Sequence, residues 1–285
     1  MAYQSSRQRP SKRLGQNFLV DPNVALDIVS AARLTQSDKV LEPGPGHGTL
    51  TRLLQKRAGT VIAVEKDPGL AHELREMLRE HSNVIIIEGD VLKTTLPPFN
   101  KIVSTPPYYL SSKLILFLVN SKFELASMVF QKEFGERLVA EPGTADYGRL
   151  TVTTQRNLEV EKISEVPRTV FHPRPKVDSI LLRLTPKEER KKLDEVLFEE
   201  MVRGIFTQRR RLLRGALRHF LALKLGRDAG KSIMDKIAVT DARVYQLSVE
   251  ELENLCLSLS DALPMYNPGP QTLSRRVSTP IIYDR

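Results

Sequence analysis

The chain has few of the features that mark secreted or membrane proteins. Its 285 residues include a single cysteine, Cys256, so neither an intramolecular disulfide nor a cysteine-based zinc site can form. No apolar run approaches the roughly 20 residues that span a bilayer, and no secretory hydrophobic region opens the chain. We therefore expect a cytoplasmic protein with no membrane partner and no metal. We also expect a monomer.

Acidic residues are missing from two segments that are rich in arginine and lysine. The formal net charge of the chain is +9, and neither residues 1–20 nor residues 201–227 contain an aspartate or a glutamate. Exposed helix faces usually mix both signs, so two acid-free basic segments indicate a polyanionic partner, most simply nucleic acid. The predicted nucleic-acid contacts are Arg9, Lys12, Arg13, Arg209, Arg210, Arg211 and Arg214.

Three glycines at alternate positions, Gly44, Gly46 and Gly48, follow a short apolar segment at 39–41. Glycines between a strand and a helix let the backbone turn tightly and approach a ligand beside the exposed N–H groups of the helix start. A dinucleotide-binding G-x-G-x-x-G pattern would need a glycine where this chain has Thr49. The observed spacing is similar to the S-adenosylmethionine pocket of Rossmann-like methyltransferases instead.

Three further predicted strands end in groups that suit a nucleoside. The first ends at Glu65, which could accept hydrogen bonds from both hydroxyls of a ribose. The second ends near Asp90, which could accept from an adenine amino group, and the third leads into the proline-rich turn at 105–108. Because the carboxyl ends of parallel strands meet at one rim of a sheet, we expect these groups to share one crevice.

The alternation of strands and helices from 39 to 132 predicts a parallel sheet with helices on both faces. Residues 150–154, 158–161 and 180–184 are predicted to be additional strands, including an antiparallel pair that closes the sheet. Residues 171–179 are predicted to form an extended loop stiffened by prolines.

The second half of the chain has a different composition. A charge-rich stretch leads into residues with helical periodicity. Residues 226–232 resemble a phosphate-binding loop but have only three residues between the two glycines, so we interpret them as a loop between helices. The predicted divisions are a basic arm at 1–20, a first domain at 21–187, a helical RNA-binding domain at 188–262 and a flexible tail at 263–285.

Several ordered motifs carry a resemblance to a known family over residues 12–255. They are residues 13–19 (RLGQNFL), 42–48 (EPGPGHG), Glu65, 89–90 (GD), 131–134 (QKEF), 137–140 (RLVA), 147–150 (YGRL), 173–179 (PRPKVDS) and 208–211 (QRRR). In this order they are similar to the KsgA-type small-subunit rRNA adenine dimethyltransferases, including archaeal and eukaryotic relatives.

The resemblance implies an α/β fold, with a Rossmann-like S-adenosylmethionine-dependent methyltransferase domain followed by a small all-helical domain. It implies S-adenosylmethionine as the cofactor. The implied substrate is a pair of adjacent adenines in the 3′-terminal hairpin loop of small-subunit rRNA, within an immature ribosomal subunit.

Site residues follow by matching the motifs to this chain. The implied catalytic residues are Thr105, Pro106, Tyr108 and Phe171, with the two aromatic rings on either side of a target base that is flipped out of its stack. The implied cofactor-binding residues are Asn17, Leu19, Gly44, Gly46, Gly48, Glu65, Asp90, Val91 and Thr105.

One position departs from the family pattern. After the fourth strand the family usually carries Asn-x-Pro-Tyr, and this chain has Thr105-Pro106-Pro107-Tyr108. The asparagine carbonyl accepts a hydrogen bond from the target amine, whereas a threonine hydroxyl is shorter and can also donate. This departure predicts slower transfer, transfer of a single methyl group, or loss of activity.

Three other functions stay open at this point. Thr105 favours a binding module that holds an immature ribosomal subunit or nucleic acid and methylates poorly. The Pro-Pro-Tyr turn is compatible with an amino-methyltransferase that acts on DNA, although the rRNA-family motifs outside the pocket argue against it. A nicotinamide-dependent oxidoreductase is the weakest alternative, because of Thr49.

Overall fold

The computed structural model describes residues 16–263. Arg9, Lys12, Arg13 and the predicted tail beyond 263 lie outside this range. The strands are β1 (Phe18–Leu19), β2 (Lys39–Pro43), β3 (Thr60–Glu65), β4 (Val84–Glu88), β5 (Lys101–Ser104), β6 (Leu125–Gln131), β7 (Leu158–Val166), β8 (Phe171–His172) and β9 (Ser179–Pro186). The helices are α1 (Pro22–Ala31), α2 (Thr51–Leu54), α3 (Pro68–Leu78), α4 (Ser111–Val119), α5 (Lys132–Leu138), α6 (Arg149–Asn157), α7 (Glu195–Phe206), α8 (Leu213–Leu225), α9 (Arg227–Met234) and α10 (Val249–Ala262).

Seven of these strands form one sheet in the order β4-β3-β2-β5-β6-β9-β7. The first five are parallel, and β9 pairs antiparallel with both β6 and β7. The parallel sheet and the antiparallel closing pair are therefore confirmed. The chain runs outward from β2 through β3 and β4, then returns to β5 on the other side of β2. This reversal opens a crevice at the carboxyl ends of β2 and β5.

The central strands are buried on both faces. Every residue of β5, and every residue of β2 after Lys39, is buried. Parallel strands covered by helices on both faces read as continuous apolar runs, because neither face meets water. Helix α1 packs against the sheet: its Ile28 and Val29 are fully buried in the same core cluster as Val40 and Val61.

The predicted strand at 150–154 is wrong, because these residues lie in the helix α6. Thr151, Val152 and Thr154 are buried along it, and the Thr154 hydroxyl donates to the carbonyl of Leu150 at 2.7 Å. That bond satisfies a polar group which would otherwise be buried without a partner. Packing of the helix therefore outweighs the strand preference of β-branched residues.

The described residues divide into two compact units. The first contains residues 16–136 and 158–186, and the second contains 137–157 and 187–263. Residues 137–157, which the sequence analysis placed in the first domain, belong to the second unit because Tyr147 and Val152 are buried in the core of helices α7 to α10.

The helical unit also contains the segment that resembles a phosphate-binding loop. Residues 227–234 form the helix α9, so the expected loop between helices is wrong at this position. The helix begins directly after Gly226, whose φ of +88° lies in the region that favours glycine. The glycine spacing therefore marks a boundary between two helices.

The most deeply buried carboxyl group of the described residues belongs to Glu42 on β2, which is 1% exposed. Its Oε2 atom has no hydrogen-bond partner in the described range. Burial raises the pKa of Glu42 to about 8, partly offset by Thr51 and increased further by the charge of Glu65. Glu42 therefore carries a proton in the folded protein at neutral pH.

We expect Glu42→Gln to remove a pH dependence of stability. The unfolded chain releases this proton near pH 4.5 and the folded protein near pH 8. The stabilisation that comes from protonated Glu42 is therefore complete below pH 4.5 and is lost as the pH rises to 8. The loss is at most about 1.4 kcal/mol per pH unit. Urea unfolding between pH 5 and 8 measures it.

The matched control is Glu80→Gln, since the Glu80 side chain is 83% exposed. The control should follow the parent curve, whereas Glu42→Gln should unfold with a flatter dependence on pH and a higher free energy at pH 8. Parallel curves for the parent and Glu42→Gln would show that Glu42 is ionised in the folded state.

Candidate active site

The glycine-rich loop that follows β2 is shaped by positive φ angles and by close neighbours. Gly44, Gly46 and Gly48 have φ values of +68°, +56° and +74°. A Cβ atom on Gly46 would lie 2.8 Å from the Phe18 ring, and one on Gly48 would lie 2.7 Å from the Leu74 side chain. Any other residue would therefore distort the loop or displace its neighbours.

Glu65, at the end of β3, holds this loop in place. Its Oε2 accepts from the Gly46 N–H at 3.1 Å, and its Oε1 accepts from the Asp67 N–H at 2.9 Å. Burial raises the pKa of Glu65, and these backbone hydrogen bonds partly oppose the rise. A carboxylate oxygen can accept two hydrogen bonds, so each oxygen keeps acceptor capacity for a ligand.

Asp90, just beyond β4, is held by two partners. Its Oδ2 accepts from the Lys66 ammonium at 3.0 Å and its Oδ1 from the Leu92 N–H at 3.1 Å. Burial raises the pKa of Asp90, but these two hydrogen bonds and the charge of Lys66 outweigh burial and hold it below its usual value. Asp90 is therefore an ionised acceptor at the rim of the crevice.

A short antiparallel ribbon covers one side of the crevice. Strand β1 pairs with β8, so that Phe18 faces His172 and Leu19 faces Phe171. The Thr49 hydroxyl donates to the carbonyl of Leu19 at 2.9 Å and ties the ribbon to the glycine-rich loop. Residues 171 and 172 of the predicted extended loop are therefore a strand, whose partner lies far away in the sequence.

His47 joins the ribbon to helix α3. Its ring centroid lies 4.3 Å from that of Phe18, and its Nδ1 lies 3.1 Å from Oε1 of Glu73. His47 is not among the site residues predicted from the sequence. Its position inside the glycine motif was the available signal, but neither the ring contact with Phe18 nor the hydrogen bond with Glu73 can be read from that position.

The turn after β5 brings Thr105 and Pro106 to the crevice. The hydroxyl of Ser104, the last residue of β5, donates to the carbonyl of Pro43 at 2.5 Å, which joins the ends of β5 and β2. Thr105 follows directly and is half-buried, and Pro106 is buried. The two strands at the topological reversal therefore present the glycine-rich loop and Thr105 side by side.

Tyr108 is fixed in the same turn by its own hydroxyl. Tyr108 Oη lies 2.7 Å from Oγ of Ser179, at the start of β9. Burial raises the pKa of Tyr108, partly offset by the Ser179 hydrogen bond. The phenol therefore stays neutral, and its ring has a defined position at the crevice.

These elements line one pocket of about 1000 Å³, which includes its open mouth. The predicted site residues that line it are Asn17, Leu19, Gly44, Gly46, Glu65, Asp90, Val91, Thr105, Pro106, Tyr108 and Phe171. Gly48 does not line the pocket, because it faces Leu74 and Met77 of α3. Lining residues that the sequence analysis missed include Phe18, His47, Lys66 and Tyr109.

The predicted basic contacts of the helical unit differ in their surroundings. The Arg209 guanidinium donates to the carbonyls of Tyr147 at 2.9 Å and Ala145 at 2.8 Å. Arg211 donates to Oε1 of Gln208 at 3.0 Å. Arg210 and Arg214 are exposed. Arg209 therefore has a structural role in holding the segment at 145–147.

No cluster of three or more His, Cys, Asp or Glu side chains suited to a metal ion occurs within residues 16–263. Within the same range no helix has the length and apolar character needed to cross a membrane.

Sequence comparisons identify relatives over most of the chain. A profile of the ribosomal RNA adenine dimethylase family matches residues 7–256. A protein of Thermococcus gammatolerans named probable ribosomal RNA small subunit methyltransferase A is 41% identical over 258 residues, covering 89% of this chain and 90% of the relative. A Methanopyrus kandleri protein of the same name is 38% identical over 273 residues, covering 92% and 98%.

Two solved structures of rRNA or dimethyladenosine methyltransferases also match most of the chain. A dimethyladenosine transferase from Plasmodium falciparum superposes with a TM-score of 0.78 at 28% identity, covering 86% of this chain and 98% of its own. The 23S rRNA methyltransferase ErmE has a TM-score of 0.64 at 34% identity over 86% of this chain and 100% of its own. The fold is thus a Rossmann-like methyltransferase sheet followed by helices, and the chain belongs to the ribosomal RNA adenine dimethylase family.

Proposed function

We propose that this protein uses S-adenosylmethionine to methylate N6 of two adjacent adenines in the 3′-terminal hairpin loop of small-subunit rRNA, in an immature subunit. Family membership gives the reaction class, rRNA adenine dimethylation. The names of the archaeal relatives support the small subunit as the substrate. The observation that carries the proposal is that eleven residues predicted from the sequence to form the site line one pocket.

The pocket suits S-adenosylmethionine in its hydrogen-bonding groups and in the close approach that its glycine-rich loop allows. Gly46 leaves room where a Cβ would collide with Phe18, so its backbone can approach a ligand closely. Glu65 would accept from the ribose hydroxyls and Asp90 from the adenine amino group, while Asn17 and Leu19 would line the methionine side. The cofactor supplies a methyl group on a positively charged sulfur.

We expect Glu65→Ala to weaken S-adenosylmethionine binding at least about tenfold. A hydrogen bond to a charged group contributes about 1.5–3 kcal/mol, and tenfold in affinity corresponds to about 1.4 kcal/mol. The change also frees the Gly46 N–H that Glu65 holds. Isothermal titration calorimetry of parent and variant measures the affinity.

The matched control is Glu88→Gln, because Glu88 is the register partner of Glu65 on β4 and its side chain is 44% exposed. Glu88→Gln should bind the cofactor as the parent does. Equal affinities for the parent and Glu65→Ala would contradict the assignment of Glu65 to the ribose.

The target adenine would enter between Tyr108 and Phe171. Thr105 and the main-chain carbonyl of Pro106 would accept hydrogen bonds from its amino group. The N6 lone pair would form a bond to the methyl carbon as its bond to sulfur breaks and the neutral thioether leaves, and the cationic N6 would then lose a proton to solvent. No side-chain base is needed for this step, so the protein contributes by positioning the base and by hydrogen bonding to N6. Tyr108 suits this role because the Ser179 hydroxyl fixes its ring.

A second candidate is a ribosome-assembly or nucleic-acid-binding relative with weak or lost methylation. One observation favours it: Thr105 lines the pocket where the family pattern places an asparagine. A hydroxyl that both donates and accepts holds the amine less firmly than a planar carbonyl does.

Variants at Thr105 separate the two candidates. We expect Thr105→Asn to raise the rate of methyl transfer, or to add the second methyl group, because it restores a carbonyl acceptor. We expect Thr105→Ala to lower the rate about two- to tenfold, the range for one neutral hydrogen bond. Incorporation of labelled methyl groups into immature small subunits measures both.

The matched control is Thr95→Ala, an exposed threonine outside the pocket lining, which should leave the rate unchanged. If the parent transfers no methyl group and Thr105→Asn does, the binding relative is the correct description. If all three threonine variants equal an active parent, Thr105 does not contact the reacting nitrogen.

RNA binding should depend on the exposed arginines of the helical unit. Each phosphate that a cation neutralises adds about 0.7–0.9 to the slope of log affinity against log salt concentration. Removing both Arg210 and Arg214 should therefore lower this slope by nearly two, with unchanged cofactor affinity. Fluorescence anisotropy with a labelled rRNA hairpin, repeated over a salt series, measures the slope.

A control double variant removes the same charge elsewhere. Lys122→Ala with Arg79→Ala changes two exposed residues before β6 and β4, at the edge of the sheet opposite the pocket. It should keep the parent slope. If the arginine variant also keeps it, Arg210 and Arg214 do not contact phosphates. Arg209→Ala is unsuitable for this test, because Arg209 holds the carbonyls of Ala145 and Tyr147.

A further inference from the structure

Tyr109 differs from every other aromatic residue in the described range. It is 51% exposed, whereas no other phenylalanine or tyrosine of residues 16–263 has half of its surface exposed. It also lines the pocket, directly after Tyr108. An aromatic ring that is part of a pocket wall and still open to solvent can stack on a ligand group outside the pocket.

The backbone that carries Tyr109 is held firmly. Two prolines precede Tyr108, and the N–H of Leu110 donates to the carbonyl of Pro107 at 2.9 Å. The Ser111 hydroxyl donates to the carbonyl of Tyr108 at 2.8 Å. Little backbone entropy remains to be lost when a planar group settles on the Tyr109 ring.

The charge around Tyr109 suits a nucleic acid. Lys113 lies four residues further on, at the start of α4, and is exposed. Residues 104–123, which include part of the pocket lining, contain two lysines and no acidic residue. Each nucleotide within a strand has a flat base and a phosphate on either side of its sugar, so an exposed ring followed four residues later by an exposed ammonium group matches its chemistry.

We propose that Tyr109 is a stacking platform for the nucleobase next to the target adenine. This inference rests on the proposed function. When one base enters the pocket, its neighbour stays covalently attached at the mouth, where Tyr109 is exposed. Proteins that recognise unpaired RNA commonly stack successive bases on aromatic side chains. Tyr109 positions the strand for the target base and takes no part in methyl transfer.

The test compares Tyr109→Ala with Tyr109→Phe, using immature small subunits as substrate. Stacking on an aromatic ring contributes about 1–3 kcal/mol per base, so Tyr109→Ala should raise KM for the subunit about tenfold. The value of kcat should change little. Tyr109→Phe keeps the ring and should keep the parent KM. Leu116→Ala is the matched control, since Leu116 is 45% exposed and lies nearly two turns further along.

A binding measurement separates this inference from the proposed function. Anisotropy with a labelled 3′-terminal hairpin reports the affinity without methyl transfer, and Tyr109→Ala should weaken it about tenfold. If the parent shows no methyl transfer but Tyr109→Ala weakens hairpin binding, the platform stands and the proposed function fails. Unchanged KM and hairpin affinity in Tyr109→Ala, or equal losses in Tyr109→Phe, would overturn the platform.

Discussion

The site depends on the two hydrogen bonds that the Glu65 carboxylate accepts from the backbone. One comes from Gly46 in the loop after β2, and the other comes from Asp67, at the start of α3. They fix a loop whose glycines have positive φ, and this loop forms the floor of the pocket. Without Glu65, the loop would lose the partner of a buried N–H group, which costs about 1–3 kcal/mol.

The sequence predicted those parts of the fold and the pocket that depend on local patterns. Apolar runs that end in Glu65 or near Asp90 predicted parallel strands with their ends at one rim, and the structure has both. Parallel order alone brings these ends together, because the carboxyl ends of neighbouring strands meet at the same edge. The convergence of these residues therefore needed no knowledge of side-chain contacts.

Features that depend on distant partners could not be predicted in this way. Thr154 lies in a helix because its unit buries that helix, although β-branched residues favour strands. Phe171 lies in a strand because it pairs with Leu19. Arg209 belongs to a basic run, yet its guanidinium binds two carbonyls. In each case a contact far away in the sequence decides the outcome, and local periodicity carries no information about it.

We propose above all that methyl groups are transferred in this pocket to adenines of small-subunit rRNA. The most direct measurement incubates immature small subunits with the protein and isotopically labelled S-adenosylmethionine, and then analyses the rRNA nucleosides by mass spectrometry. We expect label in N6-methylated adenosine, at two adjacent positions of the 3′-terminal hairpin. Label at other nucleosides, or none in the presence of bound protein and cofactor, would contradict it.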